Sequence, residues 1–223
     1  NLLMSDILII APHADDETLG CGGTILRHKS EGETASWLLM TSMLEKDGFS
    51  AAEIEIREDE INHVAEAYGF DATIKLDYSP GKVDALPTKE IVESISRTIQ
   101  EIQPKILYFP FHNDIHSDHR IISEAVLSCT KSFRYDYVKK FRAYEVLSET
   151  EFASDLYSDS FNPNLWINIS DFLDEKIEIM KIYKSEIKEP PFPRSEENIR
   201  ALATYRGSTV GSISAESFIQ VKE

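Results

Sequence analysis

The chain has 223 residues, of which 42% are hydrophobic, so it can bury a substantial core and fits a single domain over residues 1–223. Its 39 acidic and 23 basic residues give a net charge of −16, which disfavours binding to nucleic acid and to anionic membrane surfaces. Two cysteines are too few for a disulfide framework, and no signal peptide or run of about 20 apolar residues is evident, so we expect a cytoplasmic protein without a transmembrane segment.

Apolar runs bounded by turn residues alternate with segments of helical period, which is typical of βα repeats. A Pro-rich segment, 189–193, is interpreted as a surface connection before a last helix and strand. The pattern predicts a three-layer α/β/α, Rossmann-like fold with a mostly parallel sheet of order 3-2-1-4-5. The predicted elements before residue 189 are strand 7–11, helix 18–30, strand 35–41, helix 52–68, strand 72–76, helix 89–102, strand 106–111, helix 118–130, strand 141–147 and helix 171–187.

Two clusters of imidazole and carboxylate side chains follow predicted strands. His13, Asp15 and Asp16 come directly after the first strand, and a second cluster within residues 112–119 comes after the fourth. In a sheet of order 3-2-1-4-5 these strands are neighbours, and ligands bind beyond their carboxyl ends. The topology therefore predicts that both clusters meet at one site.

The residue types in these clusters indicate a catalytic zinc site. Catalytic Zn²⁺ commonly has three nitrogen or oxygen ligands and an open position, and it acidifies a water molecule for attack. His13, Asp16 and His119 would supply those three ligands. Asp15, adjacent to a ligand without being one, would then act as the general base.

Two further residues of the second cluster are assigned to the developing oxyanion. His116 lies one helical turn before His119 and, as an imidazolium, could donate a hydrogen bond to that oxygen. Asp118 would orient His116 and favour its protonated, positively charged form.

Two other patterns receive structural interpretations. Gly20, Gly22 and Gly23 lie within the first predicted helix and lack the dinucleotide-binding spacing, so close helix packing explains them better. His28 and His63 lie inside helical patterns away from both clusters and are left outside the site.

Five segments of the chain together resemble the LmbE/PIG-L family of zinc-dependent N-deacetylases. The first cluster is similar to that family's A-H-P-D-D-E signature, with Ala14 in place of the usual proline, and the second to its P-x-x-D-x-H-x-D-H signature. The resemblance covers nearly the whole chain. Its remaining segments are residues 57–60 (R-E-x-E), 205–207 (ending in R-G) and 215–218 (A-E-x-F).

The resemblance implies hydrolysis of an N-acetyl group from an N-acetylglucosamine-type sugar or sugar conjugate. It agrees with the assignments made above from the residues themselves. It also implies that Arg57 and Asp114 bind substrate. Residues 41–43 depart from the family's T-x-G pattern in a loop that lines the sugar pocket, which leaves the substrate open. The implied roles are metal ligand for His13, Asp16 and His119, general base for Asp15, and oxyanion stabilisation for His116 with Asp118.

Several alternatives stay open at this stage. The same chemistry would serve an amidase acting on a larger N-acyl or cysteine-conjugate substrate. A non-catalytic sugar- or nucleotide-binding Rossmann-like module is a second alternative. The native metal could be zinc or another divalent ion, and self-association into a homo-oligomer is open.

Overall fold

The computed structural model describes residues 4–153 and 160–222, in which helices and strands alternate along most of the chain. The elements, in chain order, are β1 (Ile7–Ala11), α1 (Asp16–Ser30), β2 (Ala35–Thr41), α2 (Ala51–Tyr68), β3 (Ala72–Tyr78), α3 (Thr88–Ile102), β4 (Ile106–Pro110), α4 (Ser117–Leu127), β5 (Lys140–Tyr144), β6 (Leu165–Asn168), α5 (Leu173–Met180), α6 (Glu196–Ser208) and β7 (Ala215–Lys222).

One sheet of seven strands, in the order β3-β2-β1-β4-β5-β7-β6, forms the middle layer. The predicted order 3-2-1-4-5 is confirmed, and those five strands are parallel. Strand β7 pairs antiparallel with both β5 and β6. All five residues of β1 are buried because helices cover both faces of the sheet, so its side chains divide between two apolar clusters.

The structure differs from the sequence prediction at two late elements. Strand β6, only four residues long, was not predicted. The helix predicted over 171–187 is shorter, because α5 ends at Met180. Beyond it, the Lys184 backbone N–H donates to Glu60, and Ser185 and Glu186 accept from Arg57, so this segment is bonded to α2 instead of continuing a helix.

Helix α1 contains a break that a buried ion pair compensates. Cys21 has the non-helical dihedrals φ −146° and ψ 23°. The backbone N–H groups of Gly23 and Thr24 donate to the two carboxylate oxygens of Glu216 on β7, at 2.9 and 2.7 Å. Lys176 of α5 donates to the same carboxylate at 2.7 Å. The A-E-x-F segment thus supports the helix that begins at the candidate site.

The three glycines of α1 lie in close packing, as predicted, and a Cβ atom at Gly22 would lie 2.6 Å from the hydroxyl oxygen of Tyr68. A Cβ atom at Gly20 would overlap the ring of Tyr144, and one at Gly23 would lie 2.8 Å from Ile169.

Within residues 4–153 and 160–222, none of the helices is both long enough and apolar enough to cross a membrane.

Glu216→Ala is expected to lower the free energy of unfolding by about 3–5 kcal/mol, because it leaves the ammonium of Lys176 buried with only the Leu19 carbonyl as acceptor and no carboxylate to balance its charge. Urea unfolding measures this loss. The matched control is Glu178→Ala on α5, which removes an exposed ion pair with Lys181 and should cost less than about 1 kcal/mol. Equal losses in the two variants would contradict the role given to Glu216.

Candidate active site

The two predicted clusters meet at the carboxyl ends of β1 and β4, which are paired in the sheet. His13 follows β1, and α1 begins at Asp16; His119 lies in the first turn of α4, which follows β4. His13 Nδ1 and His119 Nε2 lie 3.3 and 3.1 Å from the same oxygen of Asp16, and 3.4 Å from each other. The structure therefore brings together the three residues predicted to bind the metal.

Two further carboxylates set the orientation of these imidazoles. His13 Nε2 donates to Asp118 at 3.0 Å, and His119 Nδ1 donates to Asp114 at 2.8 Å. Because a carboxylate only accepts, these contacts place the proton of each neutral ring on the nitrogen that faces the carboxylate, which is Nε2 in His13 and Nδ1 in His119. The other two nitrogens, His13 Nδ1 and His119 Nε2, then direct their lone pairs at the shared oxygen of Asp16.

Three lone pairs facing one another repel unless a positive charge lies between them. Burial lowers the pKa of His13, but hydrogen bonds to Asp118 and Asp16 outweigh it and raise that pKa to about 9. Burial also lowers the pKa of His119, yet the charge of Asp16 takes it well above its ordinary value. The surroundings therefore favour a cation at this point.

The spacing of the three atoms fits a tetrahedral metal ion. With metal–ligand distances of about 2.0–2.1 Å, neighbouring ligand atoms around zinc are about 3.3–3.4 Å apart. The separations here are 3.1, 3.3 and 3.4 Å. His13, Asp16 and His119 are thus a group that fits a metal ion and leaves a fourth position for another ligand.

Asp15 occupies the turn between β1 and α1. It is only 4% exposed, and its φ of 129° lies where side chains are rarely found. Its backbone N–H donates to Glu17 at 3.1 Å. Burial, and then the charge of Asp16, raise the pKa of the Asp15 carboxyl, while Arg194 at 3.4 Å opposes that rise. A strained backbone at a buried carboxyl is typical of functional positions.

His116 and Asp118 are arranged differently from the sequence expectation. Nδ1 of His116 accepts from the backbone N–H of Asp118 at 3.1 Å, which caps α4. The Asp118 carboxylate is 3.9 Å from His116 and instead binds His13 and the backbone N–H of Gly81. Burial, and then the charge of His13, lower the pKa of His116. A neutral ring with Nε2–H available for donation fits these contacts better than an imidazolium.

The two residues predicted to bind substrate are both buried. Arg57, 7% exposed, donates to the Ala14 carbonyl at 3.1 Å and to Glu186, so it bonds the turn after β1 to the segment after α5. Asp114, 1% exposed, accepts from His119 and from Thr150. Their substrate contacts stay predictions, and the hydrogen bonds that they make within the protein hold neighbouring segments in position.

A cavity of about 260 Å³ opens beside the candidate metal ligands. Residues 41–43, the loop that departs from the family pattern, line part of it. The predicted site residues on its wall are His13, Asp15, Asp16, Arg57 and His116.

Three charged residues on the cavity wall were not found from the sequence. Arg194 donates to Glu186 at 3.0 Å and reaches Asp15, although the preceding Pro-rich segment suggested only a surface connection. Glu186 accepts from Arg57 as well. Glu149 comes from the loop after β5. None of them stands at a recognisable spacing from the two clusters, so only the folded chain reveals them.

Comparison with protein families gives a match over residues 8–130 to PIG-L, the GlcNAc-PI de-N-acetylases. This match covers more than half of the 223 residues and includes both clusters.

Individual proteins resemble the chain over most of its length. A diacetylchitobiose deacetylase of Thermococcus kodakarensis is 27% identical in an alignment that covers 94% of this chain and 80% of that protein. A probable N-acetyl-alpha-D-glucosaminyl L-malate deacetylase 2 of Bacillus cereus is 23% identical over 81% of this chain and 83% of its own length. The crystal structure of a conserved protein from Thermus thermophilus superposes with a TM-score of 0.77 at 26% identity, covering 97% of this chain and 94% of that one.

His119→Ala is expected to abolish stoichiometric zinc binding, because it removes one of three converging ligands. Asp114→Asn should weaken zinc binding about 10- to 100-fold, because His119 loses the carboxylate that orients it. Metal content after dialysis and competition with a chromogenic chelator measure both effects. The matched control is Glu33→Gln, which alters a separate group, His28, Glu31 and Glu33. Loss of zinc in that control and retention in His119→Ala would place the metal elsewhere.

Proposed function

The chain belongs to the PIG-L family of GlcNAc-PI de-N-acetylases, and we propose that it hydrolyses the N-acetyl group of an N-acetylglucosamine-type sugar or sugar conjugate with the help of zinc. The observation that carries this proposal is the convergence of His13, Asp16 and His119 beside a cavity that Asp15 also lines. The named relatives support the substrate class, because their names specify deacetylation of diacetylchitobiose and of an N-acetylglucosaminyl malate.

The first chemical task is to make water attack an amide carbonyl. A bound zinc ion would act as a Lewis acid, which would polarise the carbonyl and increase the acidity of water. Asp15 accepts the proton from the attacking water molecule. Its raised pKa supports this role, since a carboxylate that holds a proton more strongly is a better general base near neutral pH.

The second task is to stabilise the charge that develops on the carbonyl oxygen. His116 contributes through Nε2–H, because its Nδ1 already accepts the backbone N–H of Asp118. A neutral donor fixed before the reaction loses little energy to reorganisation. The proton taken up by Asp15 is then passed to the departing nitrogen. The C–N bond breaks as that nitrogen leaves, and the acetic acid formed loses the remaining proton of the water molecule to the amine. The products are acetate and a protonated amino sugar.

The two alternatives from the sequence are not favoured. A larger-acyl amidase and a non-catalytic binding module would each be compatible with the fold, but both named relatives are deacetylases of sugar derivatives. A cytoplasmic location stays a prediction from the low cysteine count, and self-association stays a prediction from the family resemblance.

Acetate release is the measurement that tests the proposed function. Zinc-loaded protein is incubated with N-acetylglucosamine, N,N′-diacetylchitobiose and N-acetylglucosaminyl conjugates carrying malate or phosphoinositide. We expect acetate from at least one of them. No acetate from any of them, with zinc confirmed in the protein, would contradict the proposed function.

Asp15→Asn is expected to lower kcat by about 10²- to 10⁴-fold while leaving zinc content unchanged, because it removes the base but none of the three ligands. His13→Ala should lose both zinc and activity. Asp136→Asn, which changes an exposed carboxylate outside the site, is the control and should behave as wild type. Loss of zinc in Asp15→Asn equal to that in His13→Ala would show that Asp15 is a ligand instead of a base.

A further inference from the structure

Glu149 is a cavity residue to which neither the sequence nor the proposed mechanism gives a role. It lies in the loop that follows β5, the strand next to β4 in the sheet. It lines the same cavity as His13, Asp16 and His116. A carboxylate is therefore present on the wall of the cavity beside the metal ligands.

The loop that carries Glu149 is bonded to the metal site. Thr150 donates to one oxygen of Asp114 at 2.7 Å, and the other oxygen of Asp114 accepts from His119 at 2.8 Å. The backbone N–H of Ile115 donates to the Glu149 carbonyl at 3.1 Å. These contacts fix the backbone at residue 149 relative to His119.

The Glu149 carboxylate itself has little to bind. In the described part of the chain, its hydrogen-bond contact is with the Ser148 hydroxyl at 3.5 Å, the outer limit for such a bond. An ionised carboxylate offers about four acceptor positions. Burial raises its pKa, and the half-buried side chain lacks donors that would compensate for lost water. Among the described residues, Glu149 does not belong to any cluster of His, Cys, Asp and Glu side chains close enough together to hold a metal ion.

The arginines on the cavity wall are already paired with another carboxylate. A hydrogen-bond donor for the Glu149 carboxylate would therefore come from a ligand. Both Arg57 and Arg194 donate to Glu186. A neutral sugar carries several hydroxyl donors around its ring, whereas its acetamide has a single N–H. Adjacent hydroxyl groups match the acceptor geometry of a carboxylate.

We propose that Glu149 determines substrate specificity by accepting hydrogen bonds from ring hydroxyl groups of the sugar whose acetamide lies at His13, Asp16 and His119. This inference rests on the proposed function. It assigns to the loop after β5 the recognition of the sugar, separate from the chemistry at the metal ligands.

The test combines substitutions at Glu149 with deoxy substrates. Glu149→Gln and Glu149→Ala are compared with wild type on N-acetylglucosamine and on its 3-, 4- and 6-deoxy analogues, or on the corresponding analogues of whichever conjugate releases acetate. Loss of a hydrogen bond to a charged group predicts a rise in KM of about 10- to 100-fold for Glu149→Ala, with kcat changed less than about 3-fold. Glu149→Gln should be intermediate, because its amide oxygen still accepts.

The deoxy analogues separate recognition from a general disturbance of the loop. For the wild-type protein, KM should rise when the contacted hydroxyl is removed from the substrate. For Glu149→Ala, the same removal should not raise KM further. Zinc content should be unchanged, and Glu101→Gln, an exposed charge change on α3, should behave as wild type.

Each other outcome overturns the inference. Wild-type KM in Glu149→Ala, additive losses for every deoxy analogue, or loss of zinc would show that Glu149 does not bind the sugar hydroxyls. A wild-type protein that loads zinc and releases no acetate would instead refute the proposed function, and this inference with it.

Discussion

Repulsion among the lone pairs of His13, Asp16 and His119 is the constraint on which the rest of the site depends. The three atoms lie 3.1, 3.3 and 3.4 Å apart in a buried pocket, and none of them has a proton to offer when both imidazoles are neutral. A cation relieves that repulsion. The close approach of these atoms is maintained by the pairing of β1 with β4, which brings the ends of the two strands together.

Two carboxylates connect this arrangement to the walls of the cavity. Asp118 binds His13 on one side and the backbone N–H groups of Gly81 and Val83 on the other, in the loop after β3. Asp114 similarly joins His119 to the loop after β5 through Thr150. The residues that orient the candidate metal ligands therefore also position loops that border the cavity. A change in either carboxylate would be transmitted both to metal affinity and to substrate binding.

The sequence could predict what is local and periodic. The apolar run of β1 and the polar residues directly after it identified His13, Asp15 and Asp16, and the strand order predicted their meeting with His119. The partner of Asp118 could not be read in the same way. His116 is nearer in sequence, but residues two apart at a helix start do not face each other. The carboxylate instead binds His13, 105 positions away. Arg194 and Glu149 likewise depend on the paths of loops, which follow no period.

The claim that His13, Asp16 and His119 hold the metal is best tested by locating zinc in the protein. A crystal structure of the zinc-loaded protein, with anomalous diffraction recorded at the zinc edge, would locate the ion without reference to activity. We expect one peak at about 2.0–2.2 Å from His13 Nδ1, Asp16 and His119 Nε2, with Asp15 unbound. A peak at His28, Glu31 and Glu33, or a site in which Asp15 replaces Asp16 as ligand, would contradict that claim.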